Sequence, residues 1–254
     1  MTKLKGLRNA IVSFVVLILI WQLIYSVSRF SPALFPSPKR VALALVETSA
    51  DGSLLRGVVA SLSRFAVGYV SSAILAVTTG LFLGLLPRAF QFVNPIVQVL
   101  RPISPMAWAP FIVLWFGIGD VPAIFVVFIA TFFPVLLSTV SAVVKIDPVY
   151  FKVARNFGVR QPQIMWKIIL PAAFPQIASG IHLALGTAWV FLAAGEMNGV
   201  QSGLGYMIVD ARNNFRTDTL LATIIVIGVI GLTLDGVLGA LEKALMKSWG
   251  DVKE

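Results

Sequence analysis

The sequence of 254 residues contains no cysteine, a single histidine, His182, and few charged residues, which make up 12% of the chain. Without cysteine there is neither a disulfide framework nor a thiolate metal site, and one histidine cannot form a histidine cluster, so we expect no bound metal. The phosphate-binding pattern G-x-x-x-x-G-K-[ST] is also absent, which excludes nucleotide binding by a P-loop. Since the chain has neither a nucleophile elbow nor a spaced carboxylate pair, we expect that it is not an enzyme.

Apolar residues dominate the chain instead. They make up 58% of it, and the mean hydropathy is +0.91, which is more than a water-soluble domain of this length can cover. Because about 20 apolar residues cross a bilayer, six transmembrane stretches are predicted. They run approximately over residues 10–28, 65–86, 94–116, 121–144, 174–197 and 220–241. The sequence therefore predicts an all-α polytopic membrane protein with about six transmembrane helices in one domain, residues 1–254.

The distribution of positive charge predicts the orientation in the membrane. The net charge of +9 does not indicate nucleic-acid binding, because the basic residues are spread over loops between apolar stretches. With the N-terminus inside, twelve Lys and Arg residues lie in cytoplasmic segments and six lie outside, so both termini are predicted to be cytoplasmic. The first apolar stretch is too long for a cleaved signal peptide, and we expect it to remain as a span.

A polar, basic segment, Lys145–Pro171, separates two of the apolar stretches. Asp147 is a suitable N-cap and Pro148 suits a first helical position, so a helix is predicted to begin there. Gly158 is predicted to end this helix with a positive φ. Apolar residues then continue to Pro171, which predicts a second short helix on the membrane surface. A cytoplasmic helix–turn–helix of this kind indicates a soluble partner; the alternative is a loop that only joins two spans.

The 145–171 segment resembles the cytoplasmic coupling motif of ABC importer permeases, in which an E-A-A triplet is followed four residues later by Gly and then by I-x-L-P. The matching residues are Ala154, Gly158, Ile168, Leu170 and Pro171. Lys152 and Val153 replace the Glu and the first Ala of the triplet, so the charge at that position is reversed. The resemblance implies that a partner ATPase is contacted by Lys152, Val153, Ala154, Arg155, Gly158, Ile168, Leu170 and Pro171.

Five further patterns occur in the order found in the nitrate/sulfonate/taurine/bicarbonate branch of these permeases, which the chain resembles over roughly residues 34–245. They are S-x-x-R-x-x-x-G-Y from Ser61, R-P-I-S-P-M-A-W from Arg101, L-W-F-G-I-G from Leu114, A-G-E-M from Ala194 and G-L-G-Y-M from Gly203. Because all five occur in order, the resemblance is far more specific than any single pattern.

This resemblance implies a type I importer permease fold and a homodimer of the chain in a bacterial-type inner (plasma) membrane, surrounded by lipid. It also implies two ATPase subunits, which hold ATP and Mg²⁺, and an external solute-binding protein; no cofactor is expected on this chain. The expected solute is a small anion such as nitrate, a sulfonate or taurine, or bicarbonate. The alternatives are another small organic solute, such as a vitamin precursor, and an ATP-independent channel or secondary transporter. A secondary transporter would need inverted repeats and titratable groups near the midplane, and we find neither.

The third apolar stretch is interrupted by Pro102, Pro105 and Pro110. Because backbone freed from helical hydrogen bonds is tolerated at membrane depth only against protein or water, this stretch is predicted to face inward. Arg101 costs about 2.5–3.5 kcal/mol there on insertion scales, so it is predicted to attract an anion or to snorkel to the headgroups. The candidate residues of the translocation pathway are Arg101, Ser104, Trp108, His182, Trp189 and Glu196.

Polar side chains and a glycine motif in other spans are assigned separate roles. Glu196 is predicted to pair with Arg64 near the same membrane surface, as a structural tie or as a gate. His182 is predicted to pack between helices or to contact solute, and Asp235 to be solvated or paired. The G-x-x-x-G motif at residues 80–84 permits close helix contact.

Two segments outside the spans are assigned as well. Pro38 and the residues after it predict a capped amphipathic helix, which braces the spans or touches an external partner. The polar, glycine-containing segment 199–218 is predicted to line the entrance of the pathway or to be an ordinary solvated loop.

Overall fold

The computed structural model describes residues 2–27, 31, 34–159 and 161–249. This part of the chain is helical and contains no strand. The helices are α1 (Thr2–Val27), α2 (Pro38–Ala50), α3 (Ser53–Leu85), α4 (Pro87–Leu100), α5 (Ala109–Phe116), α6 (Asp120–Val144), α7 (Pro148–Asn156), α8 (Gln161–Ile164), α9 (Leu170–Glu196), α10 (Leu204–Asn213) and α11 (Thr217–Trp249). A 3₁₀ turn, Pro105–Trp108, precedes α5, and a π-helical turn, Met165–Ile169, joins α8 to α9.

Four of the described helices are long and apolar enough to cross a membrane. They are Ser53–Leu85, Asp120–Val144, Met165–Glu196 and Thr217–Met246, which agree with the second, fourth, fifth and sixth predicted stretches. The predicted all-α polytopic fold class is confirmed. Residues 10–27 of the first predicted stretch lie in α1, whose apolar part, Val12–Val27, is shorter than these four; residue 28 lies outside the described residues.

The third predicted stretch, residues 94–116, is a bent pair of helices. α4 and the helical segment Pro105–Phe116 meet at an angle of 84°, so that the structure has four bilayer-length spans, or five if the bent pair counts as one. The bend contains Pro102 and Pro105, which lack the N–H that a continuous helix needs. Interruption at Pro102 and Pro105 is therefore confirmed, whereas Pro110 lies in the first turn of α5, where proline is tolerated, and does not interrupt the helix. The length of the apolar stretch did not predict its bent shape.

α6 lies between α3 and α9 and is the centre of the bundle. Along α3, a Cβ at Gly80 would lie 2.6 Å from Cβ of Thr139, and one at Gly84 would lie 2.7 Å from Cβ of Val143. The close contact that the motif at residues 80–84 permits is thus formed within the chain, between α3 and α6.

We call the end of the bundle that carries α2, α10 and the first residues of α3, α6 and α11 the far end; the 145–171 segment lies at the opposite, near end. α2 begins after the N-cap Ser37, whose Oγ accepts the Arg40 N–H at 3.3 Å. Its buried residues Val41 and Ala44 pack against α11. The helix predicted after Pro38 is confirmed, and it braces the far end.

α7 begins and ends where the sequence predicts. Oδ1 of Asp147 accepts the Val149 N–H at 2.8 Å. At the other end Gly158 has φ +66°, and the Val159 N–H donates to the Ala154 carbonyl at 3.0 Å. This is the hydrogen-bond pattern of a helix that a left-handed glycine terminates.

The second short helix that was expected to end at Pro171 is not separate. Residues 161–196 form one continuous helix, in which the π-helical turn Met165–Ile169 leads directly into α9. Pro171 lies in the first turn of α9, next to Leu170, whose N–H donates five residues back to Met165. Because the wider π turn already displaces the regular hydrogen bonds, the proline stands within the helix and does not end it.

We expect Gly80→Val to destabilise the bundle, because the added side chain has no room between α3 and α6. Overpacking costs typically about 1–3 kcal/mol, which should lower the midpoint of thermal unfolding in detergent. Gly228→Val is the matched control, since a Cβ at Gly228 meets no atom within 4 Å. Equal midpoints for the two variants would contradict the close contact between α3 and α6.

Candidate functional site

A buried ion pair lies at the centre of the far end. Nη1 of Arg64 on α3 lies 2.7 Å from Oε1 of Glu196, the last residue of α9, and the two side chains are 4% and 0% exposed. The predicted pairing of these residues is therefore confirmed. Because a buried charge that loses its partner is strongly destabilising, the pair holds α3 and α9 in one relative position.

Two further residues surround the guanidinium of Arg64. Oδ1 of Asp120, the first residue of α6, accepts a hydrogen bond from Nε at 2.7 Å. Ser202 accepts one from Nη1 through its carbonyl at 2.9 Å and another from Nη2 through its hydroxyl. Asp120 is 63% exposed, so the cluster reaches solvent on that side. Sequence reasoning missed both residues, because no local pattern shows which distant arginine they approach.

The carboxylate of Glu196 is held by hydrogen bonds from two segments. Oγ of Ser61 lies 2.8 Å from Oε2 and also accepts the Leu204 N–H at 2.8 Å. The Gly205 N–H donates to Oε2 at 2.9 Å, from the first turn of α10, where the helix dipole favours negative charge. Gly203 has φ +102°, and a side chain there would collide with Glu196. Only glycine at this position lets the backbone come so close to the ion pair.

Separate sequence patterns meet in this place, which we call the Arg64 cluster. Its members are Ser61, Arg64, Asp120, Glu196 and Ser202. The patterns that begin at Ser61 and at Ala194 supply its charged pair, and the pattern that begins at Gly203 closes over it. The cavity beside Glu196 has no room for a water molecule. The Arg64 cluster therefore acts as a tie among α3, α6, α9 and α10, and not as a pocket for solute.

His182 forms a second polar cluster, between α9 and α11. Nδ1 lies 2.8 Å from Oε2 of Glu242, and Nε2 lies 2.9 Å from Oδ1 of Asp235; we call these three residues the His182 cluster. It opens into a groove of about 520 Å³ that Ser179 and Gly186 also line. His182 thus lies between two helices and Asp235 is paired with it, which are the packing and pairing alternatives given for these residues. The groove gives the cluster an accessible face.

Trp189, another candidate pathway residue, is 5% exposed. Its Nε1–H donates to the Ile227 carbonyl of α11 at 3.0 Å, and its ring meets Phe65 edge-on with centroids 5.4 Å apart. Both Trp189 and Glu196 are thus enclosed by the packing of the chain itself.

The remaining candidate pathway residues lie at the bend between α4 and α5. Arg101 and Ser104 are exposed, whereas Trp108 is half-buried and packs against Ala109 and Ile112. The six candidates therefore do not form one site, because the structure divides them among the bend, the His182 cluster and the Arg64 cluster.

A second groove, of about 570 Å³, lies between α5 and the loop after α9. Apolar residues of α5 line one side, and Asn198 and Gly199 line the other. The segment 199–218, predicted to line the entrance, begins at this groove. Among the side chains that the structure describes, no group of three His, Cys, Asp or Glu residues is arranged to hold a metal ion.

The 145–171 segment presents an apolar surface at the near end. Tyr150 and Val153 of α7 are 60% and 46% exposed, and Phe157, directly after α7, is 82% exposed. Trp166, beyond the turn, is 69% exposed. These residues lie beside Lys152, which is also exposed.

The predicted coupling residues divide into surface and interior positions. Lys152, Val153 and Gly158 are on the surface, whereas Ala154 is buried and packs with Ile164 and Ile169. The half-buried members are Ile168, Leu170 and Pro171. Arg155 belongs to α7, but its side chain lies outside the described residues.

We expect Arg64→Gln and Glu196→Gln each to lower the unfolding midpoint in detergent, because loss of one partner of a buried ion pair costs about 3–5 kcal/mol. The double variant should lose less than the sum of the single losses. Asp120→Asn is the control and should cost less, since that carboxylate is 63% exposed. Additive losses in the double-mutant cycle would contradict the energetic coupling of the pair.

The comparisons with known proteins agree with these patterns. Residues 73–247 match the family of binding-protein-dependent transport system inner membrane components. The chain is 32% identical over 243 residues to the taurine transport system permease protein of Escherichia coli (strain K12), with 94% of this chain and 88% of that protein covered. It is 36% identical over 232 residues to a putative aliphatic sulfonates transport permease protein of Bacillus subtilis (strain 168), covering 91% and 84%. A nitrate import permease protein of Leptolyngbya laminosa is 32% identical over 243 residues, covering 92% and 87%.

Among solved structures, the fold is similar to a chain of the MetNI methionine ABC transporter in an inward-facing conformation. The TM-score is 0.64 at 21% sequence identity, and the match covers 78% of this chain and 96% of that chain. The predicted fold of a type I importer permease is thereby confirmed. The family match covers more than half of this chain, and the named relatives align with nearly all of it. This chain therefore belongs to the binding-protein-dependent transport system inner membrane component family and is a permease subunit of an ABC importer.

Proposed function

We propose that this chain translocates a small anion, delivered by an external binding protein, in an importer that ATP hydrolysis drives. The relatives named for taurine, aliphatic sulfonates and nitrate support this class of solute, since each of these solutes has an anionic group. The observation that carries the coupling to ATP is the exposed apolar surface of α7 at the near end.

The apolar surface of α7 fits a protein partner. Tyr150, Val153 and Phe157 follow one another at spacings of three and four residues, so they share one face of the helix, and each is at least 46% exposed. Grouped apolar side chains of this kind mark interaction sites on a protein surface. In the proposal two ATPase subunits, which bind ATP and Mg²⁺, dock on this face, one for each copy of the permease.

Docking of the ATPase at the near end implies which end of the chain faces the cytoplasm. It places the 145–171 segment and both termini in the cytoplasm, which is the orientation that the charge distribution favours. The far end, with α10 and the groove beside α5, then faces the external binding protein. A second copy of this chain completes the pathway, while α1, whose apolar side chains are exposed along Val12–Val27, faces lipid.

The bend between α4 and α5 supports a role for Arg101 in binding the anion. Its guanidinium is exposed where the prolines interrupt the span. A guanidinium keeps its charge at all physiological pH values and binds planar anionic groups through paired hydrogen bonds. Ser104, also exposed at the bend, supplies a hydroxyl beside it.

Solute uptake by the reconstituted complex tests the proposal. Proteoliposomes that contain the permease and its ATPase are supplied with the binding protein and with radiolabelled taurine, an alkanesulfonate or nitrate. Accumulation of one of these solutes only with ATP supports the proposal. Flux that is independent of ATP would favour the channel alternative.

We expect Gly158→Val to weaken coupling without disturbing membrane insertion. At φ +66° a β-branched residue costs about 1–2 kcal/mol or more, so α7 should tilt relative to the turn that follows it. The expected result is normal membrane level, less co-purified ATPase and little solute-stimulated ATP hydrolysis. Gly158→Asn is the matched control, because Asn tolerates left-handed backbone. Full ATPase binding by Gly158→Val would count against docking at this segment.

We expect Arg101→Gln to raise the KM for uptake by about tenfold or more, since a hydrogen bond to a charged group contributes about 1.5–3 kcal/mol. Assembly with the ATPase should be unchanged. Arg88→Gln is the control, because Arg88 is also exposed on α4 but lies near its other end. Unchanged uptake kinetics in Arg101→Gln would remove this residue from the pathway.

A further inference from the structure

α11 is attached to the rest of the chain unevenly. Toward the far end, Ala222 and Thr223 are each 1% exposed, and Ala222 packs against Val41 and Ala44 of α2. From residue 224 to residue 246, the described part of the helix contains no fully buried residue. Its half-buried residues Val226, Ile227, Ile230, Leu234 and Leu238 pack against the main core. α11 thus has a buried first part, residues 217–223, and a less enclosed arm, residues 224–246.

Besides this apolar packing, two rings of α9 lie against glycines of the arm. A Cβ at Gly231 would come 3.0 Å from the indole of Trp189, and one at Gly239 would come 3.2 Å from Cε1 of His182. The two contacts differ in their access to water. Trp189 is 5% exposed, whereas the side chain of His182 is 26% exposed and opens into the groove.

The geometry of the His182 cluster determines how many protons it holds. Both ring nitrogens lie within 2.9 Å of a carboxylate oxygen, and an ionised carboxylate accepts hydrogen bonds but donates none. A neutral imidazole has a single N–H, which can donate to only one of the two carboxylates. The contact at the other ring nitrogen therefore needs a second proton, either on the ring or on the carboxyl group. The cluster is therefore an imidazolium between two carboxylates, or a neutral imidazole with one carboxylate and one carboxylic acid. Its net charge is −1 in either form.

A cluster of this charge does not face lipid. Ionisable groups at membrane depth face protein or a water-filled cavity, because burial in hydrocarbon is costly. His182 lies about 18 Å along α9 from Leu170, at 1.5 Å per residue, and Asp235 is 61% exposed. The groove between α9 and the arm is therefore on the inside of the assembled transporter.

We propose that the His182 cluster is a releasable contact, which holds the arm of α11 against α9 and opens during the transport cycle. The proposal rests on the ATP-driven cycle proposed above. Water in the groove can replace His182 at Asp235, which is 61% exposed, so that contact separates at little net cost. The contact with Glu242, which is 15% exposed, is the costlier of the two to open. Separation at Trp189 would instead expose apolar surface that is now dry. The part of the arm beyond Gly231 then moves, while residues 217–231 keep their contacts with α2 and with Trp189.

The absence of cysteine makes thiol cross-linking specific to introduced residues. Leu183→Cys and Gly236→Cys place one thiol on α9 and one on α11, each next in sequence to a residue of the His182 cluster; Leu183 is 76% exposed, and a Cβ at Gly236 meets no atom within 4 Å. Val190→Cys with Gly228→Cys is the matched pair beside Trp189, with Val190 67% exposed and Gly228 equally open. Both pairs leave the residues of the His182 cluster and Trp189 unchanged. Variants with one cysteine show which cross-links form between two copies of the permease.

The pairs are treated with a bis-methanethiosulfonate cross-linker in the permease–ATPase complex, without nucleotide and after trapping with ATP, Mg²⁺ and vanadate. We expect the yield of the pair at residues 183 and 236 to differ by about tenfold between the two states, which corresponds to a change of about 1.4 kcal/mol in the free energy of opening the contact. The yield of the pair at residues 190 and 228 should stay constant. Cross-linking the first pair should also abolish ATP hydrolysis, and dithiothreitol should restore it.

Three results would overturn the proposal. The first is an equal yield of the 183–236 cross-link in both states, and the second is full ATP hydrolysis with this cross-link in place. The third is an equal change at both pairs, which would mean that α11 moves as one rigid body.

The unmodified complex separates this proposal from the proposed function. If the unmodified permease neither binds its ATPase nor alters ATP hydrolysis, the proposed function is wrong. The proposal that the His182 cluster opens during the transport cycle is then wrong as well, because it rests on that function. If the unmodified complex is active and one of the three results above is obtained, only the release of the His182 cluster is overturned.

Discussion

The buried ion pair of Arg64 and Glu196 is the interaction on which the far end of this permease depends. Neither charge can stay alone in a packed interior, so α3 and α9 must meet at one register. The remaining hydrogen-bonding groups of the pair then place other elements. Asp120 places the start of α6, and the loop that carries Ser202 closes over the guanidinium. One ion pair thereby positions four separate segments of the chain.

The two polar clusters of α9 differ in their surroundings, and this difference suggests which parts of the protein can move. The Arg64 cluster is enclosed, and each contact in it would cost desolvation if it opened. The His182 cluster lies in a groove, where water can replace His182 at Asp235. Both clusters lie on α9, so this helix carries the enclosed tie at its end and the proposed releasable contact with α11 near its middle.

Continuity between α8 and α9 gives the near end a direct mechanical connection to both clusters. Residues 161–196 are one helix, about 54 Å long at 1.5 Å per residue. It begins beside the exposed apolar surface of α7, passes His182 and ends at Glu196. A force that the proposed ATPase partner applies beyond the Gly158 turn, for example at Trp166, would therefore reach the middle of the membrane along one helix, which a separate second helix ending at Pro171 would not allow.

The sequence alone determined the features that depend on local chemistry and on bilayer length. Asp147 and Gly158 delimit α7, apolar length predicts the long spans, and the ordered patterns indicate the family. It also predicted the pairing of Arg64 with Glu196, because two charges near one membrane surface need each other. Only the tertiary structure placed Asp120 and Ser202 on that arginine and joined α8 to α9 through a π turn. Those outcomes depend on which distant backbone groups lie close together, and that information is set by helix packing and is not contained in any local pattern.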